Sequence, residues 1–281
     1  MSLRRFVAFA PRALGIALLW GWVGFSLLAF AWVVLSSLKT NQEFFGSVWS
    51  LPATLRFDNY VRAFVSSDFG IYLFNTVLVV GASTLLVLAL ATPAAYVLSR
   101  IPFRGSRAIS STFMLGLGIP VQVIMIPLFF LLFRFQLINS LVGLVLAYAV
   151  VQLPFTVFLL SGFFVTLPTE MEESAAIDGA SRLQTFMRIM VPLAMPGIIT
   201  AAIFNVVFII NEFLLALVLL QDNDLYTLSL GLFALYGNMR YTGDWVALFA
   251  GFTIVMLPSL IAYLLLSRRI MEGLTLGATK G

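Results

Sequence analysis

Six stretches of this chain, roughly 13–37, 70–99, 108–133, 138–165, 192–220 and 245–267, stay apolar far longer than a soluble core helix requires. A bilayer crossing takes about 20 largely apolar residues, so each stretch predicts a membrane-spanning helix. If all six cross, the tail before 13, the loops near 100–107 and 166–191 and the segment after 267 share one side. The longer segments at about 38–69 and 221–244 then fall on the other. The first stretch follows Arg4, Arg5 and Arg12, as in a signal peptide. Its apolar run exceeds an h-region of about 7–15 residues, and AFA at 29–31 continues into more apolar chain. It reads as a retained anchor.

The basic residues orient the spans. Eleven lie on the first side: Arg4, Arg5, Arg12, Arg100, Arg104, Arg107, Arg182, Arg188, Arg268, Arg269 and Lys280. Only five, Lys39, Arg56, Arg62, Arg134 and Arg240, lie on the second. Positive-inside bias therefore predicts cytoplasmic N- and C-termini. The expected fold class is an all-α membrane protein of six transmembrane helices, forming a single transmembrane domain over 1–281.

Composition narrows the chemistry. The chain is 61% hydrophobic and 10% charged, against about 45–50% apolar and about 25% charged in soluble domains; lipid must be the solvent for that surplus. The net charge of +4 follows from the topology, so no nucleic-acid surface is inferred. Cysteine and histidine are both absent. That removes disulfides, thiol nucleophiles, imidazole acid–base chemistry and the commonest metal ligands, so no metal site and no catalytic residue is expected. Prolines recur inside the spans, at Pro93, Pro120, Pro127, Pro154 and Pro258. Each removes a backbone hydrogen bond, which membranes tolerate where neighbouring groups satisfy the freed carbonyl.

Two polar stretches stand out. In RFDNYVRAFVSSDF, Asp58 is placed to cap a short helix with Tyr60, Val61 and Phe64 as its apolar stripe. Such a helix could lie in the headgroup layer or offer a docking surface to an external partner.

The second is PTEMEESAAIDGASRLQTFMRIMVPLAMPG at 168–197, which reads as two short helices before a span. Thr169 with Glu172, and Ser181 with Gln184, have capping-box spacing. Gly179 sits where the first helix should end in a left-handed residue, and Pro192 suits the first turn of the next span. Glu170, Glu172 and Glu173 complement the helix dipole, and Glu173, Ala176, Ile177 and Ala180 share one slim face. The plainer alternative is a well-capped cytosolic turn.

EESAAIDGASRLQTFMRIMVPLAMPG resembles the EAA loop of the inner-membrane permeases of binding-protein-dependent ABC importers, whose signature runs roughly E-A-A-x-x-x-G followed by I-x-L-P. Here Ser174 replaces the usual second-position alanine and Val191 the usual leucine. The resemblance extends along almost the whole chain and is closest to the carbohydrate (maltose and glycerol-phosphate) branch. It rests on SSLKTNQEFF at 36–45, FDNY at 57–60, YLFNTVLVV at 72–80, YVLSRIPFRG at 96–105, NEFLLAL at 211–217 and GLTLGATKG at 273–281.

What the resemblance implies is a type I ABC importer transmembrane domain and a non-catalytic role. Glu172, Glu173, Ser174, Ala175, Ala176, Asp178, Gly179 and Ala180 would form a coupling helix against a separate ATPase, with Glu173 as the salt-bridging acid. ATP and Mg would reside on two ATP-binding cassette partners, with no cofactor on this chain. A second related permease, preferably a different chain, and an extracytoplasmic substrate-binding protein would complete a carbohydrate importer of the inner membrane. The chain has no G-x-x-x-x-G-K-[ST] of its own to cradle nucleotide phosphates.

Glu212, beside Asn211, is the one carboxylate deep in a predicted span. A charge at a helix centre costs about 3 kcal/mol on insertion scales. The pair either lines the pathway or forms an interhelical hydrogen-bonded contact. Asn75 and Gln152 read as similar interhelical polar contacts. The competing function is an ATPase-independent carrier or channel. Ion coupling there usually needs several intramembrane ionisable groups.

Overall fold

The structure, a computed structural model, describes residues 3–66 and 68–278. Lys280 and the last three residues of the GLTLGATKG stretch lie outside the described residues. All regular structure among the described residues is helical: α1 (Leu3–Ser37), α2 (Asn41–Gly46), α3 (Asp58–Ser66), α4 (Phe69–Arg100), α5 (Ser106–Leu117), α6 (Val121–Arg134), α7 (Leu141–Thr166), α8 (Glu170–Ile177) and α9 (Arg182–Thr185). A π-helical turn (Phe186–Met190) leads into α10 (Val191–Asn211) and α11 (Leu214–Leu219). A 3-10 turn at Asn223–Leu225 precedes α12 (Leu228–Thr242) and α13 (Trp245–Ala278).

Among the described residues, four helical segments are long and apolar enough to cross a bilayer: Leu14–Ser37, Phe69–Arg100, Leu141–Thr166 and Arg182–Asn211. The expected helix at 108–133 is instead two, α5 and α6, meeting at 106°. The bend falls at Gly118-Ile119-Pro120, where proline offers no N–H to continue the ladder and pushes the preceding residue out of helical conformation. The stretch 192–220 is interrupted as well, at Glu212 and Phe213. The last stretch has a shorter apolar helix, Trp245–Ile261.

Two compact units can be distinguished, Met1–Ser67 with Leu232–Met256, and Asp68–Gly231 with Leu257–Gly281. In the first, Asn59 on α3 donates to the carbonyls of Ser37 (2.7 Å) and Lys39 (2.8 Å), closing the end of α1. Helix α3 forms as expected, but Asp58 is its first residue and its inward face differs. Asn59 and Ala63 are buried, whereas Val61 and Phe64 remain exposed. The backbone carbonyls needing a donor at the end of α1 decide that face, because an unmet buried carbonyl costs more than an exposed valine. Trp32, Phe44 and Phe249 pack as a ring cluster, with centroids 5.1–6.4 Å apart.

In the second unit, α4, α7 and α10 pack on one another. Their seams are lined by alanines, including Ala91, Ala95, Ala149, Ala194 and Ala201, all buried, and small residues let membrane helices approach closely. Gly197 makes the point: a Cβ there would lie 2.6 Å from the ring of Phe163. Gln152 and Thr156 on α7 meet Asn205 on α10 in a buried cluster, Gln152 Nε2 donating to Asn205 Oδ1 at 3.1 Å. Asn75 binds backbone instead of another span, donating to the carbonyls of Asp224 (2.8 Å) and Tyr226 (3.0 Å).

Candidate functional site: the loop between α7 and α10

Helix α8 is short and slim. Of its side chains only Ala175 is buried. It ends as the glycine predicts: Gly179 has φ +77°, its N–H reaches Ala176 O (3.1 Å), and Ala180 N–H reaches Ala175 O (2.9 Å). This paired closure satisfies carbonyls that the helix end would otherwise leave free. Glu173, Ala176 and Ile177 are exposed, Ile177 by 86%. The Glu173 carboxylate has no hydrogen bond or ion pair among the described residues.

The two expected capping boxes part company. Ser181 and Gln184 form theirs, Oγ accepting from Gln184 N–H and the Gln184 side chain accepting from Ser181 N–H. Thr169 makes no cap hydrogen bond, and its backbone is already helical. Its expected partner is engaged elsewhere: the Tyr96 hydroxyl donates to Glu172 Oε1 at 2.8 Å, and Arg100 Nε lies 3.1 Å from Oε2. A cation and a phenol hold a carboxylate more strongly than a neutral backbone amide does. Arg100 Nε–H is not aligned on that oxygen, so this is an ionic contact and not a formal hydrogen bond. Arg100 Nη2 donates to the carbonyls of Leu167 (2.9 Å) and Pro168 (3.2 Å), the turn that leads into α8.

Beyond the second box, α9 does not stand apart from the next span. It continues through the π turn into α10, Val191 N–H reaching back to Phe186 O. Pro192 lacks an N–H, and in a regular helix its ring would press on the carbonyl of Arg188. Widening the preceding turn relieves that contact. Pro192 thus lies in the first turn of α10, as expected.

At its other end α10 stops at Asn211. Glu212 is 8% exposed; it accepts from the Tyr148 hydroxyl (2.8 Å), from Leu215 N–H (2.9 Å) and from Ala216 N–H (3.4 Å). Its carboxylate therefore caps α11 and binds α7. Asn211 is exposed, with its side chain on the Val207 carbonyl of its own helix.

Residues 88–272 match the family described as the binding-protein-dependent transport system inner membrane component. The chain belongs to this family. It is a permease of the inner membrane and non-catalytic, the ATPase being a separate subunit, which decides for an importer subunit over a stand-alone carrier. Among its relatives is the diacetylchitobiose uptake system permease protein NgcG of Streptomyces coelicolor, 39% identical over 98% of this chain and 89% of that protein. Another is the trehalose transport system permease protein SugB of Mycobacterium tuberculosis, 33% identical over 92% of this chain and 94% of that one. The permease shares its fold with a bacterial ABC transporter that imports the acidic polysaccharide alginate. The TM-score is 0.78 at 24% identity, over 92% of this chain and 97% of that one.

Local spacing in the permease sequence missed Tyr96 and Arg100 as partners of the loop. Both lie in the YVLSRIPFRG motif, but nothing within one turn of either residue announces a contact about 70 positions away. The only available signal was Arg100 itself, a cation in the last turn of a long apolar helix.

Proposed function

We propose that this permease forms half of the translocation pathway of an ATP-driven carbohydrate importer, and that α8 seats on a cytoplasmic ATP-binding cassette subunit. The observation that carries this reading is the exposed face of Glu173, Ala176 and Ile177 on a short helix closed by Gly179. An unpaired carboxylate beside small and apolar side chains suits insertion into a cleft that offers a cation. Ser174, Asp178, Gly179 and Ala180 shape that wedge, and Ala175 packs inward beneath it. Glu172 is the exception among the expected docking residues, since it turns towards α4.

The wider assembly follows from the same reading. Six crossings with cytoplasmic termini place the loop on the ATPase side, and the bent α5–α6 pair and α13 supply the fifth and sixth crossings. The transmembrane domain is of the type I importer kind. A second, related permease completes the pathway, and an extracytoplasmic binding protein delivers the cargo. Similarity to the alginate transporter solved with an oligosaccharide-bound periplasmic protein supports this arrangement. ATP and Mg bind on the two cassette subunits, and their closure shifts a two-state equilibrium of the membrane helices. The sugar-transport names of the relatives support a carbohydrate cargo.

The test is Glu173→Lys in the assembled complex. Co-purification of the ATPase should fall by about tenfold or more, as when one partner of a desolvated charge pair is lost, while the permease still inserts. Wild-type association and transport in that variant would overturn the docking reading. Screening oligosaccharides, diacetylchitobiose and trehalose first, for stimulation of ATP hydrolysis by the complex would identify the cargo.

A further inference from the structure

Helix α8 is held by very little packing. One of its eight residues is buried, and a cavity of about 290 Å3 lies against it, lined by Tyr96, Arg100, Glu172, Ala176 and Thr185 among others. Its chain connections run to α7 and, through α9 and the π turn, to α10. Neither connection reaches α4, the helix packed along α7 and α10.

Glu172 supplies the missing link. Its carboxylate meets Tyr96 and Arg100 in the last two turns of α4. Arg100 also grips the turn before α8 through the carbonyls of Leu167 and Pro168. The Tyr96 ring lies 5.6 Å from Phe164 at the end of α7 and 5.0 Å from Phe186 in the π turn. The Arg100 side chain is 8% exposed and that of Glu172 23%, so water screens the pair only partly. Four elements therefore meet at one small polar junction beside an open space.

We propose that Tyr96 and Arg100 are positioning residues for coupling: acting through Glu172, they tie α8 to the end of α4, so that α8 and α4 move as one body when the ATPase displaces α8. This rests on the docking reading above and adds the path by which a push on α8 enters the helix bundle. A wedge joined only to α7 and α10 would pivot over the cavity; the tether removes that freedom.

The chain has no cysteine, so two introduced cysteines can carry spin labels without background from this subunit. Met171 on α8 and Leu85 on α4 are both exposed and outside the docking face. Distances between labels at M171C and L85C would be measured in the full complex with its ATPase, without nucleotide and with ATP plus vanadate. The expected result is a narrow distribution that trapping barely moves. With Arg100→Gln added it should broaden by about twofold as α8 samples several positions, and shift on trapping, while the ATPase still co-purifies. Arg100→Lys should give an intermediate width, because a point charge keeps the ion pair but not the forked carbonyl contacts. Tyr96→Phe should broaden it least, and serves as the working variant if Arg100→Gln does not fold into the membrane. An unchanged distribution in these variants, or a wild-type distribution as broad as theirs, would overturn the tether. So would loss of the ATPase in Arg100→Gln, which would make Arg100 part of the docking surface. The Glu173→Lys arm judges docking separately, and the nucleotide-free distances read the tether whether or not docking holds.

Discussion

Two tyrosine–glutamate pairs, each with a 2.8 Å hydrogen bond, stand at opposite ends of α10's surroundings, and they differ in what else holds the carboxylate. Glu172 has a cation, Arg100, and its side chain is 23% exposed. Glu212 has no cation among the described residues; two backbone N–H groups of α11 complete its shell, and it is 8% exposed. An ion pair near water can be remade by solvent when one partner goes. A carboxylate held by amides inside a broken helix cannot. The first arrangement suits a clasp between two elements that tolerates the loss of one contact, the second a buried anchor.

The largest effect should come from Glu212→Ala, which leaves the Tyr148 hydroxyl and the Leu215 amide buried without acceptors. At about 1–3 kcal/mol for each unmet group, the purified permease should lose several degrees or more of thermal stability in detergent, read by the loss of its monodisperse elution peak on heating. Glu212→Gln keeps an acceptor and the side chain's shape, so a much smaller loss is expected. Transport that survives Glu212→Gln at full rate would assign the residue to the helix break and remove it from the pathway.

Next in size is the contrast between the tyrosines. Tyr148→Phe takes away the shortest hydrogen bond donated to a buried carboxylate and should cost about 1–3 kcal/mol. Tyr96→Phe leaves Glu172 its arginine and partial hydration, and should cost under about 1 kcal/mol. Equal losses in the same melting assay would erase the distinction between clasp and anchor. Smallest in global melting are the loop's own signals, whose cost stays local. Gly179→Ala forces an alanine to φ +77°, a strain of about 1–2 kcal/mol, and Ser181→Ala removes a cap worth about 1 kcal/mol. Both should appear as faster proteolysis within 176–185 with little change in global melting.

The local grammar of the loop was legible in the sequence. Gly179 closing α8 and Ser181 capping α9 need only neighbours within a turn, and the structure has both. The Thr169–Glu172 box has the same spacing yet does not form, because the acid's partner comes from α4, 72 and 76 positions earlier. Apolar runs showed where helices lie but not where they break. Pro93, Pro127, Pro154 and Pro258 sit inside continuous helices, whereas Pro120, preceded by Gly118 and Ile119, ends one. Asn211 and Glu212 stand where α10 stops. That the chain turns there depends on Tyr148 and on the amides of α11, and neither hydropathy nor periodicity records those.

The widened turn at Phe186–Met190 sets a rotational phase. Each residue of an α-helix advances the side chains by about 100°, and the π turn already takes up one residue more than an α turn does, so a further residue between Gln184 and Pro192 would swing all of α10 about its axis. Ala194, Gly197 and Ala201 would leave the seams they fill, and bulkier neighbours would arrive there. A single-residue insertion in 186–190 should therefore disable the permease even with every residue of α8 in place.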